Sequence, residues 1–219
     1  MQNIPRIYID EKLSAGKSFA VDKDIAHYLR RVMRRDDCLV FNNGVEYTAR
    51  LSGDNKYIVI ENQTQHVDPS NDLILYFAPI KKTDELVNMA TQMGVGTFVP
   101  VITNRTVANH INWLRIKKIM AEAAEQSNRN SVPILMEPVK FDDLDLSGLI
   151  VADERFAHGK ENTNTKISGN RLLIGPEGGF SDAEFEKMDM AGVVGLSLGK
   201  TILRAETAAV VAIAKVLNQ

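Results

Sequence analysis

Three side chains at the head of the last helix carry reactive groups of different kinds within four positions: the Arg204 guanidinium, the Glu206 carboxylate and the Thr207 hydroxyl. A guanidinium stays charged at any usable pH and offers fixed donors, so this trio can grip or stabilise an anion and handle a proton. It stands at a strand-to-helix junction, where open α/β sheets put their ligands. Upstream, Arg171-Leu172-Leu173-Ile174 runs straight into Gly175-Pro176-Glu177-Gly178-Gly179-Phe180. The apolar run is too short for a helix and is bounded by breakers, which predicts a buried strand. The glycines and the proline continue neither kind of element. They let the backbone turn sharply and present bare N–H and C=O groups to something flat and polar. A second apolar run, Val193-Val194-Gly195-Leu196-Ser197-Leu198, ends on Gly199 and leads through Leu203 to the Arg-Ala-Glu-Thr junction. Either turn alone reads equally well as a tight connection, but the pair outlines a ligand site.

Familiar phosphate loops do not fit. Gly195 to Thr201 ends in the Gly-Lys-Thr of a Walker A motif, yet only three residues separate its glycines where the phosphate wrap needs four. No Gly-x-Gly-x-x-Gly opens a βαβ unit. Ser181 and Glu184 have capping-box spacing, so a helix starts there, and Gly192 stops it.

The stretches Ile174 to Phe180, Leu196 to Gly199 and Ile202-Leu203-Arg204-Ala205-Glu206-Thr207-Ala208, together with Glu125-Gln126-Ser127 and Arg129, resemble the SPOUT methyltransferases. Within them the chain is similar to the bacterial family that methylates N3 of a uridine in 16S ribosomal RNA of the small subunit. The resemblance covers nearly the whole chain. It implies an α/β fold whose C-terminal parallel-sheet domain carries a deep trefoil knot, an exception to ordinary topology. S-adenosyl-L-methionine would bind in that knot, held by Glu154, Ile174, Gly175, Pro176, Glu177, Gly178, Leu196, Ser197, Leu198, Gly199 and Leu203. It further implies a homodimer that acts on 16S rRNA in the assembled small subunit, with Glu125 to Ser127 and Arg129 shaping the site and the dimer seam. The chain departs from relatives in having Met89 and Gln92 where a lysine and a glutamate are usual, and Asn104 where an acidic residue is common.

Methyl transfer to N3 needs in-line positioning and removal of a weakly acidic proton. Arg204 is expected to stabilise the uracil anion. Glu206 would act as base or orient Arg204, and Thr207 would fix either one; the sequence does not separate these roles. Two other classes stay open: a knot-superfamily methyltransferase acting on another RNA, and a ribosome-assembly factor that binds RNA without catalysis. The lack of Asn-Pro-Glu before the last helix speaks against the ribose methylators.

The elements that position this chemistry divide in two. Residues 1–68 show short alternating runs, Arg6 to Ile9, Cys38 to Phe41, Val45 to Ser52 and Tyr57 to Glu61, with Asn-Asn-Gly and Gly-Asp-Asn between them as hairpin signals. Asp24 to Arg35 reads as a helix whose Arg30, Arg31, Arg34 and Arg35 form two i,i+4 pairs, a basic stripe or a solvated face. Ile4 to Tyr8 and the His27 to Arg34 segment resemble the family's PUA-like barrel that holds RNA, which makes Arg6, Arg30, Arg31 and Arg34 RNA candidates, with Arg105 and Arg129 beyond it. Val67 to Asp72 is the expected linker. Residues 73–219 then alternate strands, Leu73 to Pro79, Thr97 to Ile102 and Leu149 to Asp153, with helices, Lys82 to Met93 and Ile111 to Ser127, the order of a parallel sheet. The polar run from Ala157 to Gly169 is expected to be a mobile loop over the site.

Composition narrows the rest. The 219 residues are 44% hydrophobic and 25% charged with a formal net charge of -2, so an RNA binder here must use a local patch. Cys38 is the only cysteine, which excludes an internal disulfide and points to the cytoplasm. No apolar run spans a membrane and the first 20 residues lack a signal-peptide pattern. His27, His66, His110 and His158 have no metal-ligand spacing with one another or with Cys38, so no metal is expected.

Overall fold

Alternation writes the first sheet. Strands β1 (Arg6–Tyr8), β2 (Ser18–Ala20), β3 (Asp37–Asn42), β4 (Val45–Leu51) and β5 (Tyr57–Gln63) join in the order β1-β3-β4-β5-β2. β1 and β3 run parallel and the other pairs antiparallel. Asn43 and Gly44 both take positive φ, 49° and 78°, and close the β3–β4 hairpin as an Asn-Gly turn requires. Val40, Ala49, Leu51, Ile58 and Ile60 form a core with Ile7, Phe19 and Leu29. β2 is too short for its alternation to register in the sequence. The computed structural model describes residues 4–68, 72–107, 111–159 and 167–218. Residues 69–71 of the expected linker, His110, and residues 160–166 of the polar run lie outside the described residues.

The expected helix from Asp24 to Arg35 is corrected. Helix α1 (Lys23–His27), capped by Asp22, passes into a π-helix over Tyr28–Met33, and Arg34 closes it in the left-handed region at φ 54°. The wider i→i+5 winding turns i,i+4 neighbours away from one another, so the four arginines do not form the two expected rows. Arg30 is bound to Asp36 and Asn55, and Arg35 to Asp37.

The second sheet is parallel throughout. β6 (Ile74–Phe77), β7 (Thr97–Ile102), β8 (Ile134–Leu135), β10 (Leu149–Ala152), β11 (Arg171–Ile174) and β12 (Val194–Leu196) lie in the order β12-β10-β11-β6-β7-β8, and β9 (Val139–Lys140) also pairs with β7. Helix α2 (Thr83–Gln92) makes the crossover from β6 to β7, and α3 (Trp113–Gln126) follows β7. Helices α4 (Asp182–Met190) and α5 (Ala205–Leu217) complete it; α5 packs on α2 and along β10 and β11. One sheet face buries Tyr76, Val99, Val101, Val151 and Leu173 against Phe141, Phe180, Phe185 and Met188. The α/β class and the parallel sheet agree with the sequence reading. Because every strand points the same way, the turns after β6, β7, β10, β11 and β12 all open on the carboxyl edge, the ligand edge of such sheets. Among the described residues no helix is long and apolar enough to cross a membrane.

The chain divides into two units, Met1–Ser70 with Ala121–Val132, and Asn71–Met120 with Pro133–Gln219. Arg6 explains why residues 121–132 belong to the first. Its side chain is only 6% exposed and makes a 2.9 Å ion pair with Glu46, itself 4% exposed. It also donates to Asn130 Oδ1 at 2.6 Å and lies 4.6 Å over the Phe41 ring. Nearby, the Tyr8 amide donates to Glu125 at 2.9 Å and Gly44 donates to the Asn130 carbonyl. The RNA role expected of Arg6 is therefore corrected, because its guanidinium is spent inside the unit. Breaking a buried pair leaves a naked charge, so Arg6→Met should cost about 3–5 kcal/mol in urea unfolding, whereas Arg6→Met with Glu46→Leu should cost clearly less.

Candidate functional site

Gly175 opens the turn after β11 with no room for a side chain: a Cβ there would lie 2.8 Å from the Phe180 ring. Phe180 is buried and packs edge-on against Phe185 at 5.6 Å and tilted on Phe141 at 6.1 Å, so the ring has nowhere to retreat. Gly179 takes φ 67° and its added Cβ would fall 2.3 Å from Glu154 Oε1. The loop is therefore wedged between an aromatic ring and a carboxyl. Three further bonds hold it. Arg105 donates to the carbonyls of Gly178 and Phe180 at 3.0 and 3.1 Å, and Glu177 accepts from the Lys81 amide at 2.9 Å. Ser181 and Glu184 form the expected capping box of α4, and the same buried Glu184 carboxylate accepts from the Asn104 amide at 2.8 Å.

The five turns of the carboxyl edge enclose a cavity of about 770 Å³, within the usual range for small-molecule and cofactor sites. Ile174, Gly175, Pro176, Glu177 and Gly178 line it from β11, Leu198, Gly199 and Leu203 from the turn after β12, and Glu154 from the end of β10. Arg204, the N-cap residue of α5, and Glu206 line it too. Leu196 and Ser197 do not line it. The Leu196 carbonyl accepts the Asp153 amide, and the Ser197 carbonyl accepts Lys215 Nζ at 2.8 Å, so these two build the turn from behind. Thr207 is exposed and stands outside the cavity wall.

The charges of the wall are arranged by depth. Glu206 is buried, 7% exposed, with Lys82 Nζ at 3.7 Å. Arg204 is exposed, and its guanidinium makes no hydrogen bond or ion pair among the described residues. Burial pushes the Glu154 carboxyl above the ordinary range, opposed by hydrogen bonds from backbone amides including that of Phe180. At the end of β10 Arg155 donates to Asp153, whose side chain is fully buried, and to Asp189 of α4, and its guanidinium stacks 4.0 Å over Phe185. Hydrogen bonds to Asp189 and Asp153 raise the pKa of Arg155 further.

The sequence reading missed Lys81, Lys82, Asp153 and Arg155. Their signal was position: each follows the carboxyl end of an apolar strand. Arg105, expected to contact RNA or phosphate, braces the glycine loop and lines the cavity. Arg31 and Arg34 are exposed, and Arg129 is half-buried, its guanidinium held below its ordinary pKa by burial and supported by Asp68. Glu125, Ser127 and Arg129 lie in the first unit and do not line the cavity. Of the departures noted, Gln92 donates to Asn88, and Asn104 acts through its backbone. Among the described residues no group of three or more His, Cys, Asp or Glu gathers to hold a metal.

Comparison with known proteins converges on one group. Residues 68–217 match the model of an RNA methyltransferase domain. The ribosomal RNA small subunit methyltransferase E of Rickettsia conorii is 32% identical, with 96% of this chain and 94% of that protein aligned. The protein of the same name from Aquifex aeolicus is 29% identical over 97% of this chain and 99% of its own length. Among solved structures, a ribosomal RNA small subunit methyltransferase E from Neisseria gonorrhoeae bound to S-adenosyl methionine is similar with a TM-score of 0.82 at 26% identity, covering 97% of this chain and 96% of that one.

Two outcomes follow from the wedge. Gly175→Ala should open the loop against Phe180 and lower Tm measurably, since a well-packed core resists added atoms by about 1–3 kcal/mol. Glu154 is an acid whose folded pKa lies above its unfolded one, so its contribution to stability is full below the unfolded pKa and is lost as pH rises through the folded value. Glu154→Gln, which keeps an acceptor for the Phe180 amide, should therefore gain Tm relative to the parent over the range above the unfolded carboxylate pKa of about 4, the gain growing with pH until Glu154 is ionised in the folded state. A constant difference across that range would refute it.

Proposed function

We propose, from the premise that this chain belongs to the ribosomal RNA small subunit methyltransferase E family of RNA methyltransferases, that it transfers a methyl group from S-adenosyl-L-methionine to N3 of a uridine in 16S rRNA. The observation that carries this reading is the convergence in one cavity of two glycine-marked turns, after β11 and β12, with Arg204 and Glu206. The residues present fit the cofactor: the glycine-rich turn Gly175 to Gly179, with Ile174, Leu198, Gly199 and Leu203, lines a cavity of cofactor size. When bound, S-adenosylmethionine supplies an electrophilic methyl group on its sulfonium.

The chain's own residues do the rest. Ile174 to Gly178, Leu198, Gly199 and Leu203, with Glu154 beside Gly179, would hold the cofactor. Arg204, charged and without an internal partner among the described residues, stabilises the uracil anion as N3 loses its proton. Glu206, in the wall beside it, takes that proton or orients Arg204. Arg31, Arg34 and Arg105 are left as cations for the RNA backbone, so a net charge of -2 is no obstacle. On the same reading residues 1–68 are a PUA-like barrel, residues 73–219 a knotted methyltransferase domain, and the working form a cytoplasmic homodimer acting on the assembled small subunit.

The test is incubation with labelled S-adenosylmethionine and either assembled small subunits or naked 16S rRNA, followed by mass mapping of the modified nucleoside. Incorporation as N3-methyluridine, mainly into assembled subunits, is expected. Methylation of another RNA or another atom, or cofactor binding without transfer, points to the two other classes instead. Arg204→Ala should lower kcat by about 10²–10³-fold, the scale of a lost anion-stabilising donor, while S-adenosylhomocysteine still binds.

A further inference from the structure

Lys82 stands on the turn after β6, outside both glycine turns, yet it lines the same cavity. Its ammonium lies 2.7 Å from Glu85, one turn along α2, and 3.7 Å from Glu206 across the cavity wall. The two carboxylates differ. Glu85 is 56% exposed and can be served by water, whereas the Glu206 side chain is 9% exposed. Among the described residues Lys82 supplies the only ion pair of Glu206, and no hydrogen bond reaches that carboxylate. Lys82 is therefore the nearest counter-charge available to orient the Glu206 carboxylate. Arg204 stands close enough to oppose the charge of Lys82, while hydrogen bonding to Glu85 raises the Lys82 pKa. The mouth thus holds two neighbouring cations with one buried carboxylate, and Arg204 keeps its guanidinium free of internal partners among the described residues.

We infer that Lys82 is a positioning residue of the methyl-transfer site: its ammonium ties the β6–α2 turn to Glu206 and so fixes the first turn of α5, on which Arg204 is the cap. This rests on the function proposed above. Lys82 does not hold the cofactor turns, since the glycine loop is fixed by Phe180, Arg105 and Glu177. Nor does it hold the fold, since a partly exposed ion pair at this distance adds little stability. Its loss should therefore show in the rate of the chemical step and leave cofactor affinity and unfolding nearly untouched.

The experiment compares Lys82→Met, Lys82→Arg and Glu85→Gln in full-length protein, reading kcat and KM for the RNA, S-adenosylhomocysteine affinity by calorimetry, and Tm. The parent enzyme is measured first: with no cofactor binding or methyl transfer there, both the functional reading and this inference fall. With the parent active, Lys82→Met should lower kcat by about 10- to 100-fold, the scale on which a misplaced group costs rate. S-adenosylhomocysteine affinity should stay within about threefold. Lys82→Arg, which can still reach a carboxylate, should recover most of the rate, and Glu85→Gln should match the parent. The inference is overturned if Lys82→Met keeps kcat within about threefold of the parent, if cofactor affinity falls in step with kcat, or if Lys82→Arg is no better than Lys82→Met.

Discussion

A phenyl ring occupies the space that a side chain at position 175 would need, and the geometry of the cavity follows from that contact. Phe180 is pinned between Phe141 and Phe185, and Arg155 lies over the Phe185 ring while gripping Asp153 and Asp189. The ends of β10 and β11 and the flank of α4 are thereby locked to one another through aromatic packing and one shared guanidinium. A loop of three glycines and a proline has many conformations in the unfolded chain, and ordering it is costly. Here the cost is offset by the ring, by Arg105 on two carbonyls and by Glu177 on the Lys81 amide, so the loop is held in one arrangement.

Local signals in the sequence were read correctly where the physics is local. Thr97–Ile102 and Arg171–Ile174 are strands with the expected bounds, and Ser181 with Glu184 caps α4 as its spacing demands. The glycine turns and the junction at Arg204 meet in one cavity because all the strands are parallel and present the same edge. Partners distant in sequence were not legible. Arg6 reads as a free cation until β4 brings Glu46 beside it, 40 residues on. The arginines after His27 read as a stripe until the π-helix rewinds them and Asp36 and Asp37 claim two. Lys82 and Glu206 are far apart in sequence, and only the packing of α5 on α2 makes them neighbours.

Charge is used differently in the two units. In the first, Arg6, Arg30 and Arg35 are spent on Glu46, Asp36 and Asp37, so three of its cations are cancelled locally by neighbouring carboxylates. In the second, Lys81, Lys82, Arg105 and Arg204 gather exposed around one opening. Net charge is a poor guide to a nucleic-acid partner in such a chain, because the quantity that matters is the potential at the mouth, and screening limits each charge to neighbours within about 8–10 Å.

On the proposed reading this division of labour has a physical reason. A methyl donor of this type is itself cationic at sulfur, so a pocket that gripped it with lysine or arginine would repel the reactive centre. Neutral backbone dipoles grip without that penalty, and they need glycine at the closest approach. The accepting base carries the opposite requirement, since it becomes an anion along the reaction and is flanked by phosphates. Fixed cations at the opening favour that state over the neutral base, and they act most strongly where water is thin. A buried carboxylate among those cations serves to place them.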